Sequence, residues 1–216
     1  MRRQINSHLT IPSHLDPGRF DGLTSTYEEL CIEADVFANV SVDRLSIARC
    51  RLIACEISGC IMKSADISDT EILKCQLFGS NLDSSHLIRV HFDGGNASGL
   101  ILSASSLKDL LFKNIKLSFA NFSGAKLSRV IFNGCDLTEV SFQNAQLSEV
   151  SFENCILNGT SFDGSHLYKT TFGQAELSAL RGLSGLRGVT LSQNQIIQLA
   201  LLLAAEAGIK IVMNDH

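Results

Sequence analysis

Cysteine and histidine are the residue types in this sequence that could bind a metal ion or act in catalysis. The 216 residues include seven cysteines and six histidines, but no Cys-x-x-Cys pair and no other zinc-ligand spacing is present. No nucleophile stands with a base and an orienting group, and no phosphate-binding loop can be recognised. The sequence therefore predicts a protein that is not an enzyme and that holds no metal and no cofactor.

The elements that position these residues follow a period of five. A position that recurs every five residues from Ile32 to Leu177 is apolar at all 30 sites, and from Phe112 onward Phe and Leu alternate there. This period matches neither an α-helix nor an ordinary strand, so it indicates a repeat architecture. The weakest unit lies at residues 94–99, where Ala97 replaces the large residue, and it could bulge or bend the array.

A second recurring position, two residues before the first, holds mainly small side chains, and six of the seven cysteines occupy it (Cys50, Cys55, Cys60, Cys75, Cys135 and Cys155). A buried thiol behaves as a small apolar group, so we interpret these cysteines as interior filling. Cys135 and Cys155 would lie about 4.8 Å apart on neighbouring turns, close enough to bridge. In a cytosolic chain we expect them to stay reduced.

Units such as Ala120-Asn121-Phe122-Ser123-Gly124 and Cys135-Asp136-Leu137-Thr138-Glu139 resemble pentapeptide repeats. In that family, four units form one square turn. The resemblance implies an all-β repeat fold, a right-handed quadrilateral parallel β-helix of about seven to eight coils with a C-terminal α-helix. We expect an N-terminal lead-in and cap at 1–30, the β-helix at 31–179, and a transition, a capping and dimerisation helix and a short strand at 180–216.

The C-terminal segment has the pattern of an apolar helix. Ser192 and Gln195 form a capping box that predicts a helix from about Gln193 to Ala207, ended by Gly208. Because the helix is apolar almost all round, it must be buried on more than one side. We expect one side to close the β-helix and the other to pair with a second copy through Ile196, Ile197, Leu199, Ala200, Leu203, Ala204 and Ile211. A helix buried wholly within its own chain is the alternative.

Charge is distributed unevenly over the four predicted faces. The face centred on every twentieth residue from Phe37 to Leu177 has a net charge of −4. The face opposite to it, centred on every twentieth residue from Ile47 to Leu167, has a net charge of +2. We predict that the acidic residues of the face with a net charge of −4 contact a partner. They are Asp35, Glu56, Asp136, Glu139 and Glu176. An acidic surface should compete with DNA and not bind it. The alternative is the random imbalance of an ordinary solvated surface.

The predicted compartment is the cytoplasm. No apolar run follows Met1, and no uncharged apolar stretch of 18 residues exists, so we expect neither a secretory signal nor a membrane span.

An acidic rod of this kind resembles the quinolone-resistance branch of the family, the Qnr- and MfpA-like proteins, and the segment 188–209 resembles the dimer-forming tail of that branch. The resemblance implies a DNA-mimicking homodimer that binds DNA gyrase or topoisomerase IV and protects it from fluoroquinolones. Two features depart from the branch: the unbroken register leaves no room for protruding loops, and the net charge of −4 is modest. The alternative is a structural or interaction scaffold with an unknown protein partner.

Overall fold

A computed structural model describes residues 9–21, 24–177 and 179–209 of the chain. They form a parallel β-helix of about seven coils, followed by a single C-terminal α-helix, which confirms the predicted fold class. The elements are β1 (Asp16–Gly18), β2 (Thr26–Glu28), β3 (Leu30–Glu33), β4 (Ser46–Ala48), β5 (Arg51–Ile53), β6 (Asp66–Leu73), β7 (His86–Asp93), β8 (Ser106–Lys113), β9 (Lys126–Asn133), β10 (Gln146–Ser148), β11 (Ser151–Glu153), β12 (His166–Tyr168), a 3-10 helix (Leu183–Leu186) and α1 (Gln193–Glu206).

Neighbouring coils are related by a shift of twenty residues. In strands β8 and β9, for example, Leu107 pairs with Leu127 and Phe112 with Phe132. Single bridges with the same shift, such as Lys116 to Asp136, continue the ladder on the remaining faces. Four units of five residues therefore make one coil, as the resemblance implied.

The position that recurs every five residues fills the interior. Of its 30 members from Ile32 to Leu177, 28 are buried, and Val42 and Leu167 are half-buried. The Phe side chains stack along two opposite faces. The Phe132 ring lies parallel to Phe112 and Phe152, with centroids 4.9 and 5.1 Å away, and meets rings from the other face edge-on. This burial removes a large apolar area from water, at about 25 cal/mol per Å².

The small inward position combines filling with hydrogen bonding. The Sγ atoms of Cys55 and Cys135 donate to the carbonyl oxygens of Ile32 and Phe112 on the preceding coil, at 3.4 and 3.3 Å. The Thr160 hydroxyl makes the same contact with Leu137. All seven cysteines are free thiols, and burial raises the pKa of Cys50 and Cys60. These observations agree with the interpretation of the cysteines as interior filling.

The units from residue 32 to residue 167 turn their corners through a residue in the left-handed conformation. Many of these residues carry side chains, as at Asp69, Arg89 and Phe119, where φ is 48°, 52° and 63°. Such a conformation costs an L-residue with a side chain on the order of 1 kcal/mol. Gly95 is required for a different reason, because a Cβ atom there would lie 2.1 Å from the carbonyl oxygen of Cys75. The register continues through Asn96 without a bulge.

The first coil is covered by the segment that precedes it. Strand β1 pairs with β3, and the Phe20 ring packs against Phe37 and Tyr27, with centroids 4.8 and 5.0 Å away. The twenty-residue register already includes β2, where Tyr27 pairs with Ile47. Regular coil therefore begins before residue 31.

At the other end the five-residue spacing stops, and α1 is tied to the last coil. The predicted capping box is present: the Ser192 amide donates to Gln195 Oε1 at 3.0 Å, and the Gln195 amide donates to Ser192 Oγ at 3.3 Å. The Gln195 side-chain amide donates to the carbonyl of Phe172, and the Leu177 amide donates to Gln198 Oε1 at 2.9 Å. The helix ends at Glu206, one residue before the predicted end.

Candidate protein-binding face

One side of the β-helix carries the five predicted partner-facing acids. We call it the acidic face. It consists of the eight units centred on Phe37, Ile57, Leu77, Ala97, Leu117, Leu137, Leu157 and Leu177. The residues just before these centres form one ladder of bridges from Val36 to Glu176.

This ladder is the most acidic of the four that precede the unit centres. Three acids, Glu56, Asp136 and Glu176, stand on it against Lys116, a net charge of −2. The other three ladders are neutral or positive, with Arg51 and Glu71 on one, Asp66 and Lys126 on another, and Arg181 on the third. The structure thus brings three of the five predicted acids into one line.

Asp136 lies in the middle of the acidic face and is held in place by its neighbours. Its carboxylate accepts the Ser118 hydroxyl at 2.8 Å and the Thr138 amide at 3.0 Å. Partial burial acts to raise the pKa of Asp136, but the hydrogen bonds from Thr138 and Ser118 and the nearby charge of Lys116 outweigh it and lower the pKa. The carboxylate is therefore ionised at neutral pH.

The other two predicted acids are engaged within the chain. The Asp35 carboxylate accepts the Phe20 amide at 2.7 Å and so anchors the segment that covers the first coil. Glu139 is paired with Arg181, at 3.0 Å. Arg181 lies beyond the last pentapeptide unit that we assigned to a face, and the charge of −4 does not include it.

Exposed apolar side chains are a second feature of the acidic face. Phe78 and Phe119 follow their unit centres at outward positions and are 58% and 67% exposed. Val36 and Ile156 on the same face are 69% and 51% exposed, and the sequence reasoning missed both. The sequence does contain a signal for them. When residues twenty apart are aligned, apolar residues at the outward positions of this face can be recognised.

A column of alternating charge runs along one corner of the β-helix, and it too was missed. Residues twenty apart alternate in sign through all eight members: Glu29, Arg49, Asp69, Arg89, Asp109, Arg129, Glu149 and Lys169. Arg89 contacts Asp69 at 2.5 and 2.7 Å, and Arg129 makes a similar fork with Asp109. Asp69 also accepts the amide and the hydroxyl of Thr10. The column therefore fastens coils to each other and holds the N-terminal segment.

Helix α1 presents most of the predicted dimer residues to solvent. Ile196, Ile197, Ala200 and Leu203 are exposed, Ala204 is half-buried, and Leu201 is exposed as well. Leu199 does not fit the prediction, because it is 3% exposed and packs in the chain's own core. Ile211 lies outside the described residues, as does most of the segment after α1 in which a short strand was predicted.

In the part of the chain that the structure describes, the candidate metal ligands do not form a site. Within residues 9–21, 24–177 and 179–209, no three His, Cys, Asp or Glu side chains are grouped so that they could hold a metal ion. Over the same residues, no helix is long and apolar enough to cross a membrane.

A family model described as the pentapeptide repeat region matches residues 71–142 and 105–181, which together span half of the chain. The chain belongs to the pentapeptide repeat family. Among curated proteins, none matches the sequence.

Several solved pentapeptide repeat structures are similar in fold. A trypsin-treated variant of QnrB1, a plasmid-mediated fluoroquinolone resistance protein, is 21% identical, with 92% of this chain and 94% of that chain covered and a TM-score of 0.41. HetL, involved in heterocyst differentiation regulation in Nostoc sp. strain PCC 7120, is 14% identical, with 71% and 90% covered and a TM-score of 0.35. A pentapeptide repeat protein of the Arabidopsis thaliana thylakoid lumen is 12% identical, with 86% and 83% covered and a TM-score of 0.21. At these identities the similarity concerns the fold alone.

Proposed function

We propose that this pentapeptide repeat protein is a non-enzymatic binding protein whose acidic face occupies a basic, DNA-binding surface of another protein. The proposed partner is a type II topoisomerase, DNA gyrase or topoisomerase IV, which the protein protects from fluoroquinolones. In this proposal it acts in the cytoplasm and binds neither nucleic acid nor membrane itself.

The observation that carries the proposal is the line of Glu56, Asp136 and Glu176 on one ladder that keeps a twenty-residue register along the β-helix. A protein surface that holds DNA is rich in Lys and Arg, and its affinity for DNA is dominated by phosphate charge. A rod that presents carboxylates along its length is attracted to the same surface and competes for it.

The proposal includes a homodimer formed through α1. The exposed apolar side chains of Ile196, Ile197 and Leu201 lie on a helix whose other side is fixed to the last coil by Gln195 and Gln198. Covering such a surface with a second copy removes apolar area from water and joins two rods end to end.

The test is a gyrase supercoiling and DNA-cleavage assay, with and without a fluoroquinolone, over micromolar concentrations of the dimer. We expect inhibition of supercoiling and fewer drug-stabilised breaks. The triple variant Glu56→Gln/Asp136→Asn/Glu176→Gln should need at least tenfold more protein for the same effect.

The matched control is Glu33→Gln/Asp43→Asn/Asp66→Asn, which removes three exposed acids from elsewhere on the chain. It should behave as the wild type does. Equal losses in the two triple variants would show that only total charge matters, and no effect of the wild type on gyrase or topoisomerase IV would refute the proposed partner.

A second candidate function is an interaction scaffold for a different protein. The exposed apolar residues of the acidic face, Phe78 and Phe119 above all, favour it, because a surface that only imitates DNA has no use for aromatic side chains.

A further inference from the structure

Exposed apolar residues stand on every second unit of the acidic face, before the unit centre at Val36 and Ile156 and after it at Phe78 and Phe119, and acids stand on three of the four remaining units. We number the eight units of the acidic face from zero, starting with the unit centred on Phe37. Units zero, two, four and six then carry the exposed apolar residues Val36, Phe78, Phe119 and Ile156. The acids fall between and beyond them: Glu56 on unit one, Asp136 and Glu139 on unit five, and Glu176 on unit seven. Unit three has Asn96 and Ser98 at its outward positions.

These four apolar residues, which we call the apolar row, show that exposed apolar side chains are concentrated on one face. Of six well-exposed large apolar side chains on the described coils, four lie on this face, and the other two, Ile61 and Tyr168, lie elsewhere. Phe119 also occupies a left-handed corner, where Asn or Gly is the usual low-energy choice, with φ of 63°. Burial within the chain therefore does not account for an aromatic ring at this corner.

The polar side chains close to the two aromatic rings are buried and hydrogen-bonded. Ser98 and Ser118 stand at outward positions, yet they are only 6% and 4% exposed. The Ser98 hydroxyl donates to Asn96 and the Ser118 hydroxyl to Asp136, at 2.7 and 2.8 Å. Along the adjoining corner, Gly79 and Gly99 stand on the two coils that precede Phe119, so no side chain projects there.

Measured along the axis, the spacing of the four residues of the apolar row matches that of an α-helix. Two coils advance about 9.6 Å along the axis, given about 4.8 Å per strand. Seven residues of an α-helix advance about 10.5 Å, so a side chain repeated every two helical turns meets every second coil. Extended strands place residues on one face about 6.8 Å apart and do not match this spacing.

We infer that the acidic face binds an amphipathic α-helix of the partner protein, which lies along the rod with an apolar stripe of seven-residue spacing and Lys or Arg at its margins. The apolar stripe packs on Val36, Phe78, Phe119 and Ile156. The basic margins meet the carboxylates on the units between. This inference rests on the proposed function in taking the acidic face as the contact surface, but it does not depend on the partner being a topoisomerase.

The test uses a synthetic helical peptide of about 24 residues as the probe, with Leu at heptad-spaced positions and Lys flanking the stripe. A second peptide of the same composition has its Leu residues spread around the helix. Binding to the full-length protein is measured by fluorescence anisotropy. We expect saturable binding of the first peptide and at least tenfold weaker binding of the second. Equal affinity for both would mean that charge alone attracts them, and it would overturn the inference.

The protein variant is Phe78→Ser/Phe119→Asn, which installs the residue types that other units carry at these positions, as at Ser58 and Asn39. It should weaken binding of the striped peptide at least tenfold. The control Ile61→Asn/Tyr168→Ser removes two exposed apolar residues from other faces and should leave binding unchanged, as should Ile197→Asp on α1. Unchanged binding by the Phe78/Phe119 variant would overturn the inference.

Sedimentation and the gyrase assay separate the remaining outcomes. If the Phe78/Phe119 variant loses self-association that the wild type shows, the face is covered by a second copy, and the helix proposal is wrong. If gyrase is unaffected by the wild type while the peptide binds, only the topoisomerase proposal fails. If gyrase responds equally to the wild type and to the variant, only the present inference fails.

Discussion

The guanidinium group of Arg181 holds the carboxylate of Glu139 through two hydrogen bonds of 3.0 and 3.1 Å, between residues 42 positions apart in the chain. This pair removes one negative charge from the acidic face. Because both side chains are well exposed, the pair should contribute less than about 1 kcal/mol to the free energy of unfolding. Its main effect is on the charge that a partner meets.

We therefore predict that Arg181→Gln strengthens the interaction with a basic partner. In the gyrase assay at low salt, half-maximal inhibition should require two- to fivefold less protein, and the gain should shrink as salt rises. Arg187→Gln, which makes the same change of charge beside Leu147 and Leu167, is the control. An equal gain from both variants would contradict a role for the acidic face.

Substitutions in α1 should separate dimerisation from folding. Ile197 and Leu201 are exposed and one helical turn apart, so Ile197→Asp/Leu201→Asp should give a folded monomer in sedimentation velocity. Leu199→Asp places a charge in the core and should instead lower the free energy of unfolding, by more than about 2 kcal/mol. A wild type that is monomeric at high micromolar concentration would refute the predicted dimer.

The Phe stack should respond to truncation far more than the surface does. Phe132 is fully buried between Phe112 and Phe152, so Phe132→Ala should cost about 3–5 kcal/mol in the free energy of unfolding. Phe119→Asn should change it by less than about 1 kcal/mol, or increase it, because Asn tolerates the left-handed corner. Urea denaturation followed by circular dichroism measures both. A cost of several kcal/mol for Phe119→Asn would show that this ring supports the fold.

Acid should weaken the corner that holds the N-terminal segment. Hydrogen bonds from Arg89 and Thr10 lower the pKa of Asp69 from 3.8 to about 2, against the opposing effect of burial. The ionised carboxylate therefore stabilises the fold above about pH 4, and this contribution is lost as the pH falls towards about 2. Relative to Asp69→Asn, the wild type should be more stable at pH 6, by about 1–2 kcal/mol, and this advantage should disappear near pH 2.

The control for this pH dependence is Asp66→Asn, which changes an exposed residue on the same strand β6. Its difference from the wild type should be small and should not vary in the same way with pH. A pH-independent cost for Asp69→Asn would show that the side chain acts through its shape and not through its charge.

The interior of the β-helix could be read from the sequence because one rule governs it. The five-residue spacing places Leu137 and Phe142 in the core, and the capping box of Ser192 and Gln195 gives the start of α1. Both predictions depend only on residues that are close together in the sequence. The burial of Leu199 was not foreseen, because an almost uniformly apolar helix carries no pattern that says which side meets the coil.

The candidate face was harder to predict, because its contacts join residues one or more coils apart. Asp35 was counted as partner-facing, yet its hydrogen bond to Phe20 depends on the path of the preceding segment. Glu139 was counted without Arg181, which lies beyond the last unit assigned to the face. The alternating charge column and the row from Val36 to Ile156 require comparison of every twentieth residue, and a search for a period of five does not reveal them.

The alternating column restricts how such a chain can change in length. One additional coil of twenty residues would continue the Phe stacks, but it would bring two acidic or two basic side chains together at the corner that Asp69 and Arg89 now share. Two additional coils would preserve both the stacked rings and the order of charges. Insertions and deletions of forty residues should therefore disturb this corner less than those of twenty, and the change in length that keeps both patterns is a pair of coils.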